Sequence, residues 1–124
     1  MKLRIRGNSV RIRMTKSEVA ALGDAGHAED RVRFSPRDEL RYGVAVTAAE
    51  ALSVEFGGGR LLVHVPKPLV TRWLAPTEVA IEGRQAIAGA EELKILVEKD
   101  FACLAPRADD DDADLFENPA AQSK

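Results

Sequence analysis

Lys2, Arg4, Arg6, Arg11 and Arg13 place five positive charges in the twelve residues KLRIRGNSVRIR, alternating with Leu3, Ile5, Val10 and Ile12. Arg31, Arg33 and Arg41 carry the same alternation into EDRVRF and LRYGVAV. A guanidinium is planar, permanently charged and presents its N–H donors as a fork that matches a carboxylate or a phosphate. These eight residues are therefore the candidate anion- or partner-binding set. No comparable constellation for catalysis exists, so the chemistry legible here is recognition of negative charge.

The elements that must carry these residues follow from local pattern. Gly7-Asn8 has the form of a two-residue type II′ turn. Closing it sets Ile5 opposite Val10, Leu3 opposite Ile12, Arg4 opposite Arg11 and Lys2 opposite Arg13, which makes one face aliphatic and the other cationic. Thr15 and Glu18 form a capping box after Met14, predicting a helix that buries Val19 and Leu22 and ends near Gly23 or Gly26. A loop SPRDE would then pair Phe34 with Leu40, Val32 with Tyr42 and Arg33 with Arg41. A Gly57-Gly58 turn would pair Val54 with Leu61, Leu52 with Val63 and Glu55 with Arg60. The segment TAAEAL before it also fits a short helix with a Thr47/Glu50 box.

PKPLVTRWLAP reads as a second helix, with Leu69, Val70, Trp73 and Leu74 on one side, Trp73 as the largest anchor and Pro76 as the stop. Two further strands follow. Val79 and Ile81 face inward in one, and Leu93, Ile95 and Val97 in the other, with Glu82, Arg84, Lys94, Glu98 and Asp100 outward. The sum is an α+β fold: a mainly antiparallel, curved sheet or half-barrel of six to eight strands with two short helices on one face, and no internal repeat. If all hairpins share that sheet, Arg60, Arg84 and Lys94 extend the cationic face. Direct opposition of arginines then costs a few tenths of a kcal/mol per pair unless an anion lies between them. A solvated or internally salt-bridged face is the plain alternative, since exposed pairs are worth only about 0–1 kcal/mol.

Other chemistry finds less support. Cys103 in VEKDFACL, with His27 or His64 as a base, lacks any spacing that unites the three, and a free cysteine is commonly a small interior hydrophobe. One Cys and two scattered His do not make a zinc site, so no metal or cofactor is expected. GGGR lacks the Lys-Ser/Thr of a phosphate loop and precedes a strand. A strand barrel lined with Arg and Glu resembles, in general style, the triphosphate-tunnel hydrolases, but their Glu-x-Glu-x-Lys signature is absent, and the likeness is one of fold alone.

The chain has 124 residues, 45% hydrophobic and 31% charged, with 5% aromatic. That is the size of one domain with an aliphatic core, expected over residues 1–104. Residues 105–124, APRADDDDADLFENPAAQSK, hold six acids and two bases, so the formal net charge of -2 divides into a basic body and an acidic tail, expected to be disordered. No apolar run is long enough to span a bilayer, and MKLRIRG has no apolar segment behind its charge for a secretory signal, which predicts a cytoplasmic protein. The lone cysteine agrees with a reducing compartment.

KLRIRGNSVRIRMTKSEV, LVEKDFACL and the acidic tail together resemble a family of small bacterial proteins classed as a domain of unknown function. The resemblance implies no activity, cofactor or catalytic residues. The surface therefore sets the functional expectation: a binding module without enzymatic activity, whose arginine-rich face takes an acidic polypeptide. Its own tail, in cis or across a dimer, is one source and a partner protein another. A small phosphorylated or polyphosphate ligand, bound or hydrolysed at the same face, is the alternative. Nucleic acid ranks below both, because the polar strand positions offer no aromatic for base stacking.

Overall fold

The first hairpin forms as its alternation dictates. In the computed structural model, which describes residues 1–101 and Phe116, β1 (Lys2–Ile5) pairs antiparallel with β2 (Ser9–Met14) in the register Lys2–Arg13, Leu3–Ile12, Arg4–Arg11 and Ile5–Val10. Arg6 and Ser9 exchange backbone hydrogen bonds across the turn. Gly7 supplies the positive φ of 54° that the first central position of a type II′ turn requires. Helix α1 (Lys16–Ala25) begins in the capping box: the Glu18 amide donates to Thr15 Oγ1, and the Thr15 amide donates to Glu18 Oε1 at 2.9 Å. It buries Val19 and Leu22 and stops at Gly26, whose left-handed φ of 84° lets its N–H reach the Leu22 carbonyl.

The next two hairpins form two residues out of the expected register. In β3 (His27–Arg33) and β4 (Glu39–Thr47), Arg31 faces Arg41, Val32 faces Leu40 and Arg33 faces Glu39. The turn is set by Ser35 and Asp38, whose side chains bond each other at 2.7 Å while the Asp38 amide donates to Ser35 Oγ. This leaves Phe34 in the loop, 69% exposed. In β5 (Ser53–Gly57) and β6 (Arg60–Pro66), the turn is Gly58-Gly59, both with positive φ, so Val54 faces Val63 and Glu55 faces Leu62. The expected Glu55–Arg60 pair is not made. TAAEAL forms bends rather than a helix, with Thr47 Oγ1 accepting from the Ala49 amide.

Helix α2 (Lys67–Trp73) buries Val70 and Trp73, and the Trp73 indole donates to the Val79 carbonyl at 3.0 Å. Leu74 and Val79, expected inward, are exposed. Strands β7 (Ala80–Ala88) and β8 (Glu91–Lys99) close the described body.

The strands make two four-stranded sheets, ordered β1-β2-β8-β7 and β3-β4-β6-β5, rather than one antiparallel sheet. Each is mixed: the central pairs β2–β8 and β4–β6 run parallel, and the outer pairs are the hairpins. The two helices approach one another where Leu74, at the end of α2, lies against Gly23 of α1. α1 carries the chain from the first sheet to the second, and α2 carries it back. Aliphatic faces of both sheets, with Val19, Leu22, Val70 and Trp73, meet in one core. The polar faces therefore look away from that core on different sides of the molecule.

The element order contains a repeat that sequence reading does not find. β1-β2-α1-β3-β4 and β5-β6-α2-β7-β8 are the same series. Exchanging the two series turns the sheet order β1-β2-β8-β7 into β5-β6-β4-β3, which is the other sheet. Equivalent positions follow from the registers: Gly7 matches Gly58, Val19 matches Val70 and Leu22 matches Trp73. Even an ion pair recurs, Arg31–Glu39 at 3.2 Å matching Arg84–Glu92 at 3.4 Å. Both central strand pairs join one half to the other, so neither half owns a complete sheet.

Candidate functional site

The registers arrange the outer face of the β1-β2-β8-β7 sheet as three rows that cross its strands. The row farthest from the hairpin tips reads Lys2, Arg13, Glu98, Ala80; the middle row reads Arg4, Arg11, Leu96, Glu82; the tip row reads Arg6, Ser9, Lys94, Arg84. Strand neighbours lie about 4.8 Å apart and successive outward residues about 7 Å apart along a strand. Seven bases thus occupy one face, with Glu98 and Glu82 among them. Arg4, Arg6, Ser9, Arg11, Arg84 and Lys94 line an open hollow of about 560 Å³ with Glu82 on its rim and Leu96 in its lining. A second hollow of about 220 Å³ lies among Lys2, Arg4, Arg11 and Arg13.

Part of this charge is already neutralised. Glu98 Oε1 accepts from Arg11 Nε at 2.6 Å and from Arg13 Nε at 2.5 Å. Burial alone would raise the Glu98 pKa, and the hydrogen bonds and charges of the two guanidinium groups outweigh it, holding the carboxyl below its ordinary value. Lys2 Nζ lies 3.1 Å from Asp100 Oδ2 and Arg84 reaches Glu92. Asp100, expected outward, is buried, and its amide donates to the Met14 carbonyl. Arg4, Arg6 and Lys94 are different: none has a carboxylate within 4 Å among the described residues. These three are the open cations of the face.

The remaining candidates sit on the other sheet. Its equivalent rows read Ser53, His64, Ala45, His27; then Glu55, Leu62, Gly43, Glu29; then Gly57, Arg60, Arg41, Arg31. Glu39 lies 3.2 Å from Arg31 and 3.8 Å from Arg41, so that like-charge pair is bridged within the fold. Arg60 is held by Glu29 at 2.5 Å, and Arg33 donates to the Pro36 carbonyl. The eight expected residues therefore divide. Lys2, Arg4, Arg6, Arg11 and Arg13 come together, and Arg31, Arg33 and Arg41 stand on a separate surface. Arg84 and Lys94 join the first group through the parallel β2–β8 pairing, which local pattern does not reveal.

Sequence reading assigned no role to Lys99, although it continues the inward register of Leu93, Ile95 and Val97. It is 4% exposed, donates to the Ala75 carbonyl at 2.9 Å, and lies 5.8 Å and 5.1 Å from the Trp73 and Phe116 ring centroids. Burial lowers its pKa against the raising pull of Glu78. Phe116 packs edge-on to Phe101, and its amide donates to the Asp100 carbonyl, so this part of the tail is seated beside the residue that holds Lys2. His64 Nε2 lies 3.2 Å from Glu55 Oε1, an ordinary cross-strand contact. Among the described residues no group of three or more His, Cys, Asp or Glu is placed to hold a metal. Among the described residues, too, no helix is long and apolar enough to cross a membrane. Cys103 and the acidic run lie outside the described residues.

No curated protein and no solved structure matches the chain. Residues 1–120 match a family of unknown function, DUF7009, and the chain belongs to that family.

Proposed function

We propose that the protein is a non-enzymatic binding module that holds an acidic polypeptide segment across the outer face of the β1-β2-β8-β7 sheet. The observation that carries this reading is the contrast between two equivalent faces. Over the same three rows one carries seven bases and the other three, on the same topology. The positions of Arg4, Arg6 and Arg11 are filled by Glu55, Gly57 and Leu62 in the twin, so the fold does not demand arginine there. Leaving Arg4, Arg6 and Lys94 unpaired gains nothing for stability, whereas it keeps guanidinium and ammonium donors available to a guest. Outward residues about 7 Å apart match the spacing of alternate side chains in an extended peptide.

The acids of residues 105–124 are the source nearest to hand. Phe116 of that stretch bonds to Asp100, which holds Lys2, and a covalently attached guest is present at high effective concentration, in its own chain or across a dimer; a partner protein's acidic segment is the other source. A small phosphorylated ligand is the second reading, favoured by the concavity of the hollow among Arg4, Arg6, Arg11, Arg84 and Lys94. Titration with an acidic peptide, a nucleotide and inorganic polyphosphate separates the two. The acidic-segment reading requires the peptide to bind, and to bind more tightly once residues 105–124 are deleted if the tail is the native guest. Equal weak binding of all three, abolished by moderate salt, would return the face to a solvated surface.

A further inference from the structure

Glu82 is an anomaly in an anion-binding hollow. In the twin sheet its equivalent, Glu29, is neutralised by Arg60 at 2.5 Å. The position equivalent to Arg60 is Ser9, which lines the hollow and has no charge to offer. Glu82 consequently has no cation within 4 Å among the described residues, in a hollow whose other charged members are all bases. It also stands at the end of a row whose order is Arg4, Arg11, Leu96, Glu82. Cation, apolar side chain and carboxylate succeed one another across the sheet. A uniformly acidic guest would be repelled by the last of these.

We infer that the guest of this face is an acidic segment that also carries a basic residue, with its acids on Arg4, Arg6 and Lys94, an apolar side chain over Leu96 and the base on Glu82. The inference rests on the acidic-segment reading above and specifies that partner. Three strand spacings separate Arg4 from Glu82, about 14 Å. An extended chain covers that in about four residues, so the basic residue belongs about four positions from the last acid, with the apolar residue two before it, on the same side of the extended chain. In residues 105–124 the bases Arg107 and Lys124 stand two and seven positions from the nearest acid, so the guest is a partner protein's segment and not the chain's own. Glu82 acts as a specificity residue: it costs affinity for any guest that cannot supply the positive charge.

The test uses the full chain and two fluorescein-labelled peptides, Asp-Asp-Asp-Ala-Leu-Ala-Lys and the same peptide ending in Gln. Attraction ranked by net charge alone favours the Gln peptide. The inference requires the reverse, with the Lys peptide bound about two- to fivefold more tightly, the range of an exposed ion pair. Glu82→Gln, an exposed substitution that leaves the fold intact, should remove that preference while keeping or raising affinity for the Gln peptide. A wild-type preference for the Gln peptide, equal binding of both, or a Lys preference that persists in Glu82→Gln would overturn the role of Glu82 while leaving the acidic-segment reading standing. If neither peptide binds in low salt, that reading falls and this inference with it.

Discussion

Replacing Arg4, Arg6 and Lys94 together by glutamine separates a functional charge cluster from a structural one. None of the three has a carboxylate within 4 Å among the described residues, and surface changes without such a partner alter stability by no more than about 0.5 kcal/mol each. The denaturation midpoint should hold nearly steady. Binding is another matter. Each cation that meets a guest carboxylate at the surface contributes about 0.2–1 kcal/mol, so three contribute up to about 3 kcal/mol, or roughly a hundredfold in affinity. The loss should shrink as salt rises, because the screening length falls from about 10 Å at 0.1 M to about 3 Å at 1 M. Fluorescence anisotropy of a labelled acidic peptide measures it. The matched control is Arg31, Arg33 and Arg41 to glutamine, which removes the same charge from the other sheet and should change affinity by less than about threefold at 0.1 M salt. Equal losses in the two variants would refute the assignment of the face and reduce the effect to net charge.

Four further outcomes follow from the packing and the registers. The Glu98 carboxyl is held below its ordinary pKa, so its contribution to stability is complete above the unfolded carboxylate value of about 4.3 and is lost as pH falls through the lower folded value; urea titrations should show wild type and Glu98→Gln diverging toward neutral pH and converging in acid. The same substitution frees Arg11 and Arg13 from their shared acceptor and should raise affinity for an acidic peptide. Trp73→Ala removes a side chain that is 1% exposed and orphans the Val79 carbonyl, so chemical denaturation should register a loss of about 3–5 kcal/mol. A protease site inserted between Ala48 and Glu50 should yield two fragments that co-elute, because β2–β8 and β4–β6 both join the halves; separation under native conditions would contradict the interleaved topology.

What local pattern could and could not specify is visible in the three hairpins. The first is legible in full, since Gly7-Asn8 admits one turn and the alternation admits one register. The second and third slip by two residues, and a two-residue slip keeps every side chain on its own face, so the aliphatic pattern cannot detect it. GGG permits a turn at either of two positions, and the Ser35–Asp38 side-chain bond that sets the other turn is a tertiary detail. The slip decides which charges meet: Arg33 faces Glu39, and Arg31 rather than Arg33 faces Arg41.

The division into two sheets was hidden for a different reason. Parallel pairing of β2 with β8 and of β4 with β6 joins strands that are not consecutive in the chain without a local crossover unit, so each hairpin looked like a neighbour of the next. The repeat escaped because its halves share topology and core positions such as Val19 and Val70 while their outer faces have diverged. That divergence is what marks the first hairpin, and it could be weighed only once the equivalent positions were known. The family, by contrast, was identifiable from the opening stretch, the late strand and the tail.

Backbone amide shifts of the isotopically labelled chain, followed by NMR during titration with an unlabelled acidic peptide, test most directly whether this face is a binding surface. Saturable shifts should concentrate at Arg4, Arg6, Ser9, Arg11, Glu82, Arg84, Lys94 and Leu96 and leave the rows around Arg31, Arg41 and Arg60 unmoved. Shifts centred on the second sheet, or none up to millimolar peptide in low salt, would contradict it.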